Sequence, residues 1–326
     1  MASLLEVFDR DILLSYLDLT PERSTAFWDS GVFNTDSRIS QLLGSGSSEF
    51  VVPYITGIDS DLEANYSNTV YTDIAEPRTI EGGRMKGMMA QLNEGFAESK
   101  LARHLGSVNA LELIAGEINT YWRRQAELRA LATLAGLRNA DATNNAYTVD
   151  ATSGAFDYDA FVEAEGAMAD QYEGKGAIVM NKAVYNAIRT ADAAALQTAP
   201  SQMGNVTTYN GRRVILSKDG TEVTNAYATY LLNDSAFVAE SQAGQDDLEV
   251  GNSLQRGNGG GYKTLWTRRD LLIHPTGFSF TGEILTGGTE NEALFANWSD
   301  LQQADNWDLV ADADKIPFRV LLTAKA

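Results

Sequence analysis

Cysteine is missing altogether from this chain of 326 residues. Its absence excludes disulfides, thiol nucleophiles and cysteine-ligated zinc, and leaves the redox compartment unreadable. Histidine is nearly missing too. His104 and His274 are the only two, which is poor material for a His-rich metal centre or a Ser–His–Asp triad. Positive charge is short: 25 Lys and Arg stand against 44 Asp and Glu, a net charge of −19 with a pI near 4.4. Such a balance argues against a surface that grips nucleic-acid phosphates. No apolar run approaches membrane-spanning length, and Glu6, Asp9, Arg10 and Asp11 fall where a signal peptide needs an unbroken apolar core. The expectation is a soluble chain with no membrane association.

What is present suits a folded protein. Hydrophobic residues make up 44% of the chain, enough for one large or two modest domains. The strongest pattern lies between Ser107 and Asn139, where Leu111, Ile114, Ile118, Trp122, Leu128, Leu131, Leu134 and Leu137 recur at helical spacing. Ser107 or Asn109 can cap its start, and Asn109 with Glu112 has capping-box spacing. Glu112 and Glu117 come early and Arg123, Arg124, Arg129 and Arg138 late, as the helix dipole favours. Asn139 can take the left-handed turn that ends it. A helix this long, roughly 45 Å, is either a coiled-coil partner or a spine. The Ala-rich, drifting apolar stripe favours the spine.

Around it the chain alternates strands and helices. Residues 1–20 carry Leu4, Leu5, Phe8, Ile12, Leu13, Tyr16 and Leu17, an amphipathic helix or strap that needs a surface to lie on, its own core or a neighbouring subunit. Phe50–Ile58 reads as a strand, with Pro53 implying an edge or bulge. Residues 59–83 are polar, and 84–106 return to strand and helix character, so a long projecting hairpin and a surface loop are both open readings. Residues 140–155 form a polar linker and a domain boundary. Then follow a helix with Phe161, Ala164 and Met168 on one face, a strand Ala177–Met180, and a helix with Val184, Tyr185 and Ile188. Residues 207–219 form a hairpin turned by Asn210–Gly211. Residues 226–241 read as a strand pair around Asn233–Ser235, and 243–262 as a Gly-rich loop. Residues 263–282 give two strands separated at Pro275–Gly277, 293–310 a short helix with Trp298, Leu301 and Trp307, and 315–325 a last strand. The fold class is α+β.

Catalytic constellations do not emerge. His274 before Pro275 reads as a structural histidine. The segment GNGGGYKT (257–264) lacks the Gly-Lys-Ser/Thr step of a phosphate loop, because Tyr262 intervenes and a strand follows. The acidic groups Asp59/Asp61/Glu63, Asp246/Asp247/Glu249 and Asp312/Asp314 lack the fixed glycine and terminal glutamate of a calcium loop. Neither a cofactor nor a metal is implied. The pairs Arg123–Arg124, Arg212–Arg213 and Arg268–Arg269 read as partners for acidic surfaces of neighbouring subunits.

The order of these elements resembles the major capsid protein of tailed bacteriophages, a shell fold shared with herpesvirus capsid floors and encapsulins. The phrases that carry the resemblance run nearly the whole chain: DSGVFNTDSRISQLLGSGSSEFVVPY, IVMNKAVYNAI, TTYNGRRVILSKD, AYATYLLNDSAFVAES, TRRDLLIHPTGFSF and SDLQQADNWDLVADADKIPFRVLL. The resemblance implies an N-terminal arm over 1–49, an extended β-hairpin loop over 50–97, a peripheral domain with a spine helix over 98–139 and 263–326, and an axial domain over 140–262. It implies a non-enzymatic structural protein that self-assembles into hexamers and pentamers of an icosahedral virion capsid in the host cytoplasm. That shell would enclose double-stranded DNA without sequence-specific binding. Some members carry a long, charged, helical scaffolding segment at the N-terminus. None is seen here, so either a separate scaffolding protein is implied or the segment is not part of this chain. A portal and decoration proteins are further implied partners. The candidate inter-subunit contacts are Leu5 and Phe8 on the strap, Arg78 and Arg84 by the hairpin, and Arg123, Arg124, Arg268 and Arg269. Two alternatives stand beside this reading, an encapsulin-like non-viral compartment and a soluble α+β enzyme.

Overall fold

The computed structural model describes residues 27–35, 43, 48–55, 62–74, 77–79, 82–106, 110–172, 174–191, 195–201, 204–282, 285–286 and 294–325. The strap of residues 1–20 and the capping residues Ser107 and Asn109 lie outside them. In chain order the elements are β1 (Phe33–Asn34), β2 (Glu49–Ile55), β3 (Gly82–Ser99), α1 (Lys100–Gly106), α2 (Ala110–Ala140), β4 (Thr148–Ala151), α3 (Tyr158–Gly166), β5 (Ala177–Met180) and α4 (Lys182–Ala191). There follow β6 (Leu196–Ser201), β7 (Gly204–Tyr209), β8 (Arg212–Leu216), β9 (Ala226–Leu232), β10 (Phe237–Ser253), β11 (Tyr262–Pro275), β12 (Phe278–Phe280), α5 (Trp298–Leu301), β13 (Trp307–Leu309) and β14 (Phe318–Ala324).

Two larger sheets share one helix. A five-stranded sheet has the order β1-β10-β11-β3-β2, and a seven-stranded sheet the order β4-β14-β9-β5-β8-β7-β6. The seven-stranded sheet is apolar on both faces, as its uninterrupted runs demand. Ala177 and Val179 of β5 face one core with Tyr230, Phe318 and Val320, while Ile178 and Met180 face a second with Phe161 of α3, Val184 and Ile188 of α4, and Leu321. Helix α2 runs 31 residues. Ile118 and Trp122 near its start pack on Leu265 of β11. By contrast, every residue from Ala130 to Leu137 is buried, because this part passes between both sheets and α5. The drifting apolar stripe has this physical cause: the helix is one-sided at first and enclosed at its end.

That helix does not end as expected. Asn139 stays helical, and its side-chain amide donates to the Gln302 carbonyl at 2.9 Å. The turn is made after it, where the Asp141 carboxylate accepts from the Ala146 and Tyr147 amides at 2.8 and 3.0 Å and Asn145 takes φ 48°. A carboxylate that holds two amides competes well with a glycine-like cap.

Three further expectations change. The polar linker holds β4, which pairs in parallel with β14 through Val320↔Thr148 to Thr323↔Ala151. The segment 226–241 is no strand pair: β9 joins the seven-stranded sheet and β10 the five-stranded one. Its turn, with Ser235 at φ 69°, carries the chain from one sheet to the other because Leu232 and Phe237 both enter the same core. The Gly-rich loop shrinks to residues 254–261, since β10 continues to Ser253 across a bulge between Ala243 and Leu248. Sheet membership thus cuts across the sequence grouping, with β10 beside β3 and β11, and β14 inside the seven-stranded sheet.

Candidate functional site

Strands β2 and β3 form the stem of a long hairpin, in register from Glu49↔Met88 to Ile55↔Gly82. Strand β2 is the sheet edge, so Pro53, opposite Arg84, removes a ladder donor where one is least needed. The stem is fastened to the C-terminal region. The Tyr54 hydroxyl donates to the Val310 carbonyl at 2.9 Å, and the Lys86 amide to Ser279 Oγ at 2.8 Å. A Cβ on Gly83 would collide with the Tyr54 ring, so the close packing of that ring requires glycine.

Beyond the stem the chain leaves its own core. All described residues of 62–74 and 77–79 are exposed, including Leu62, Tyr66, Val70, Tyr71 and Ile74. Local polar contacts shape the segment: the Tyr66 hydroxyl donates to Glu63 at 2.8 Å, Arg78 donates to the Glu63 carbonyl, and Asn68 donates to Asp73. Five large apolar side chains in water on one projection are a surface that calls for a partner.

The six described candidate contact residues do not come together. Leu5 and Phe8 lie outside the described residues. Arg78 is turned onto the hairpin's own backbone, and Arg84 is exposed on β3 with no ion pair among the described residues. Arg123 is exposed on α2. Arg124 instead reaches inward to Glu127 at 3.2 Å and Asp219 at 2.5 Å. Arg268 pairs with Glu249 at 3.1 Å, and Arg269 is half-buried on β11. Arg212, read as facing neighbours, is wholly buried and pairs with Glu165 at 3.0 Å. Glu127 had no signal of its own in the sequence. Buried on α2, it accepts from the Phe27 and Trp28 amides at 3.0 Å each and so ties the start of the described chain to the spine. Burial raises its pKa above the ordinary carboxylate range, against the pull of those amides and Arg124.

Among the described residues, titratable groups do not converge on a reactive centre. His274 is buried, and because its Nε2 lies 2.8 Å from the Phe278 carbonyl, which can only accept, that nitrogen carries the proton. Burial brings its pKa down to about 4, the carbonyl pulling the other way. Its ring stands edge-on to Phe50 of β2 at 5.4 Å between centroids and beside Trp307 at 6.2 Å. Burial, then the neighbouring Glu94, pushes the Tyr121 hydroxyl up to about 12. Among the described residues no three of His, Asp and Glu are placed to hold a metal ion.

No protein-family model matches the chain. The major capsid protein of Bacillus phage SPP1 is 26% identical over 325 residues, covering 95% of this chain and 94% of that protein. Among solved structures, one from Microbacterium phage Oxtober96 superposes with a TM-score of 0.56 at 11% identity, covering 97% of this chain and 99% of that one. The capsid of an empty GTA particle superposes with a TM-score of 0.52 at 14% identity, covering 93% and 91%. The chain therefore shares, over nearly its whole length, the fold of phage capsid proteins.

Proposed function

We propose that the chain is the shell-building subunit of a tailed-phage virion, assembling into hexamers and pentamers of a closed capsid around double-stranded DNA. The observation that carries this is the similarity to a phage capsid protein along nearly the full length of both chains. The exposed hairpin supplies the physical motive. On this reading the seven-stranded sheet with α3 and α4 is the axial domain, and β14 is its returning strand. The five-stranded sheet with α2 is the peripheral domain, the β2–β3 hairpin is the extended loop, and residues 1–49 are the arm. The tailed-phage reading is preferred to a non-viral compartment because the full-length relative is a phage protein. A separate scaffolding protein, a portal and decoration proteins complete the assembly in the host cytoplasm.

A net charge of −19 per subunit suits a container that confines DNA without neutralising its phosphates. Such a subunit is held by many modest contacts summed over closed symmetry, not by one deep site. Negative-stain microscopy and sedimentation of the purified protein, alone and with co-expressed scaffold, test the reading. Closed particles or ring-shaped capsomers are expected. A monomer at every concentration and ionic strength, scaffold included, overturns it.

A further inference from the structure

The end of the five-stranded sheet farthest from β12 carries three cations and a histidine around a single carboxylate. Strand β3 ends at Ser99 and α1 begins at Lys100, whose amide donates to the Gly261 carbonyl at 3.0 Å. That bond closes the β3–α1 corner against the start of β11. Lys263, the second residue of β11, stands between Glu98 and Asn252 in the ladder. Arg103 and His104 follow Lys100 by three and four residues, one turn on along α1, which places them on the same side. Together Lys100, Arg103, His104 and Lys263 line an open concavity of about 640 Å³ with Asn252 and one carboxylate, the buried Glu98.

Several other cations of this acidic chain are engaged internally: Lys86 with Glu49, Arg124 with Glu127 and Asp219, Arg212 with Glu165, Arg268 with Glu249, and Lys325 with Glu222. Lys100, Arg103, His104 and Lys263 form no ion pair among the described residues. The cations Lys100, Arg103 and Lys263 outnumber the single Glu98 carboxylate there, and gathering like charges on one corner is unfavourable unless a further anion answers them.

The answering charge lies at the other end of the same sheet. After β11 the chain turns back through β12, and the segment around β13 exposes Asp305, Asp308, Asp312 and Asp314 within ten residues. It is joined to the β11–β12 turn by the Val310 and Ala311 amides donating to the Gly277 carbonyl at 3.0 and 3.1 Å. Lys315 answers Asp312, and Arg319 stands 4.0 Å from Asp314, whereas Asp305 and Asp308 have no ion pair among the described residues. The 14 residues of β11 separate the two groups by roughly 40 Å. They cannot meet within one chain, but they can between copies set head to tail, an arrangement that closes into a ring when the rotation allows.

We propose that the concavity formed by Lys100, Arg103, His104 and Lys263 receives the Asp305–Asp314 segment of a second copy of this chain. The contact is heterologous, each copy giving its acidic segment to one neighbour and its cationic corner to another. The inference rests on the shell reading for its biological setting, but the contact itself is a property of the chain's surface.

Because the chain has no cysteine, the contact can be trapped without background. A Lys263→Cys variant is mixed with an Asp308→Cys variant in assembling conditions, mildly oxidised, and read on a non-reducing gel. A covalent species combining one copy of each is expected. Its absence from assembled material overturns the proposal. A charge exchange supplies the second measurement. Lys100→Glu with Lys263→Glu, and separately Asp305→Lys with Asp308→Lys, are expected to lower particle yield at least tenfold at unchanged melting temperature. Combining all four is expected to restore most of the yield. Normal yield from either pair alone, or no gain on combining them, overturns the proposal. If the unmodified chain forms neither rings nor particles the shell reading fails, and cross-linking in concentrated soluble protein still decides the contact.

Discussion

Arg212 Nε donates to Glu165 Oε1 at 3.0 Å inside the seven-stranded-sheet domain, with the guanidinium wholly buried. The pair sits beneath the β7–β8 turn and closes a network. Glu165 also accepts from the Gly174 amide at 3.0 Å and Asn210 Nδ2 at 2.7 Å, while Arg212 reaches the Tyr172 carbonyl at 2.9 Å and Asn233 Oδ1 at 3.2 Å. Burial lowers the Arg212 pKa, and the attraction of Glu165 opposes that shift.

Removing one partner leaves a buried charge unanswered, which costs about 3 kcal/mol or more, whereas replacing both with apolar residues costs much less. Glu165→Met and Arg212→Met alone are therefore each expected to lower the denaturation midpoint markedly, and the two combined to recover part of the loss. Urea titrations of the two single variants and the double variant check this. Strictly additive losses would show that the pair is not coupled.

Gly136 of α2 faces the last residue of α5, Leu301, and Trp307 of β13. A Cβ there would collide with the Leu301 carbonyl and lie 2.7 Å from Trp307 Nε1, which itself donates to that carbonyl at 2.8 Å. Two effects oppose each other in Gly136→Ala. Helix propensity favours alanine by about 1 kcal/mol, while overpacking a close backbone contact costs about 1–3 kcal/mol. The obstacle is a hydrogen-bonded carbonyl that cannot swing aside, so overpacking wins and the variant melts lower. Gly116→Ala on the same helix, where a Cβ meets nothing within 4 Å, is expected to melt higher.

Local pattern accounts for what was legible beforehand. The spine helix was readable because its leucines keep helical spacing, and the β7–β8 hairpin because Asn210 and Gly211 take φ 46° and 81°. Two strand-like arms around a polar middle left a hairpin and a surface loop both open, and the ladder from Glu49↔Met88 to Ile55↔Gly82 makes the stem a hairpin. Non-local pairing accounts for what was not legible. Strand β14 lies between β4 and β9, far from either in sequence, and nothing in its own residues names those neighbours. The continuation of β10 past Ala243 was hidden because Gly244 to Asp247 show no alternation, and the backbone ladder with β11 carries the strand across the bulge. Arg212 was misread because a buried arginine looks like a surface one until its carboxylate is located. The cationic corner was invisible for the same reason: the register Lys263↔Glu98 joins two distant stretches.

Titration of His274 gives the chain a pH dependence with a definite sign. Its folded pKa, brought down to about 4, lies below the ordinary value of 6.5. Between those values the unfolded chain binds a proton that the folded chain refuses, so stability falls as pH drops from 6.5 towards 4 and this contribution levels off below. The full difference amounts to about 3 kcal/mol. A His274→Gln variant, less stable at pH 7 through lost packing on Phe50 and Trp307, should lose less stability between pH 7 and pH 5 than the parent. Parallel stability curves for the two proteins would show that His274 does not carry the effect.

The hairpin separates folding from assembly. Replacing residues 62–79 with a short glycine-containing turn removes no buried side chain among the described residues, since 62–74 and 77–79 are all exposed. It leaves the stem intact, with the Tyr54–Val310 bond and the Lys86–Glu49 ion pair at 2.9 Å. Deleting exposed chain shifts stability by about 0.5 kcal/mol or less, and a shorter loop lowers the closure entropy only slightly. Thermal unfolding should therefore match the parent. Assembly should not, because Leu62, Tyr66, Val70, Tyr71 and Ile74 are the apolar anchors the projection offers to a neighbour, and aromatic anchors carry much of an interface's binding free energy. Replacing Tyr66 and Tyr71 with serine makes a milder test, expected to lower particle yield while the melting temperature stays fixed. Shells of normal size and yield from the shortened protein would mean that the projection contributes nothing to the contacts between subunits.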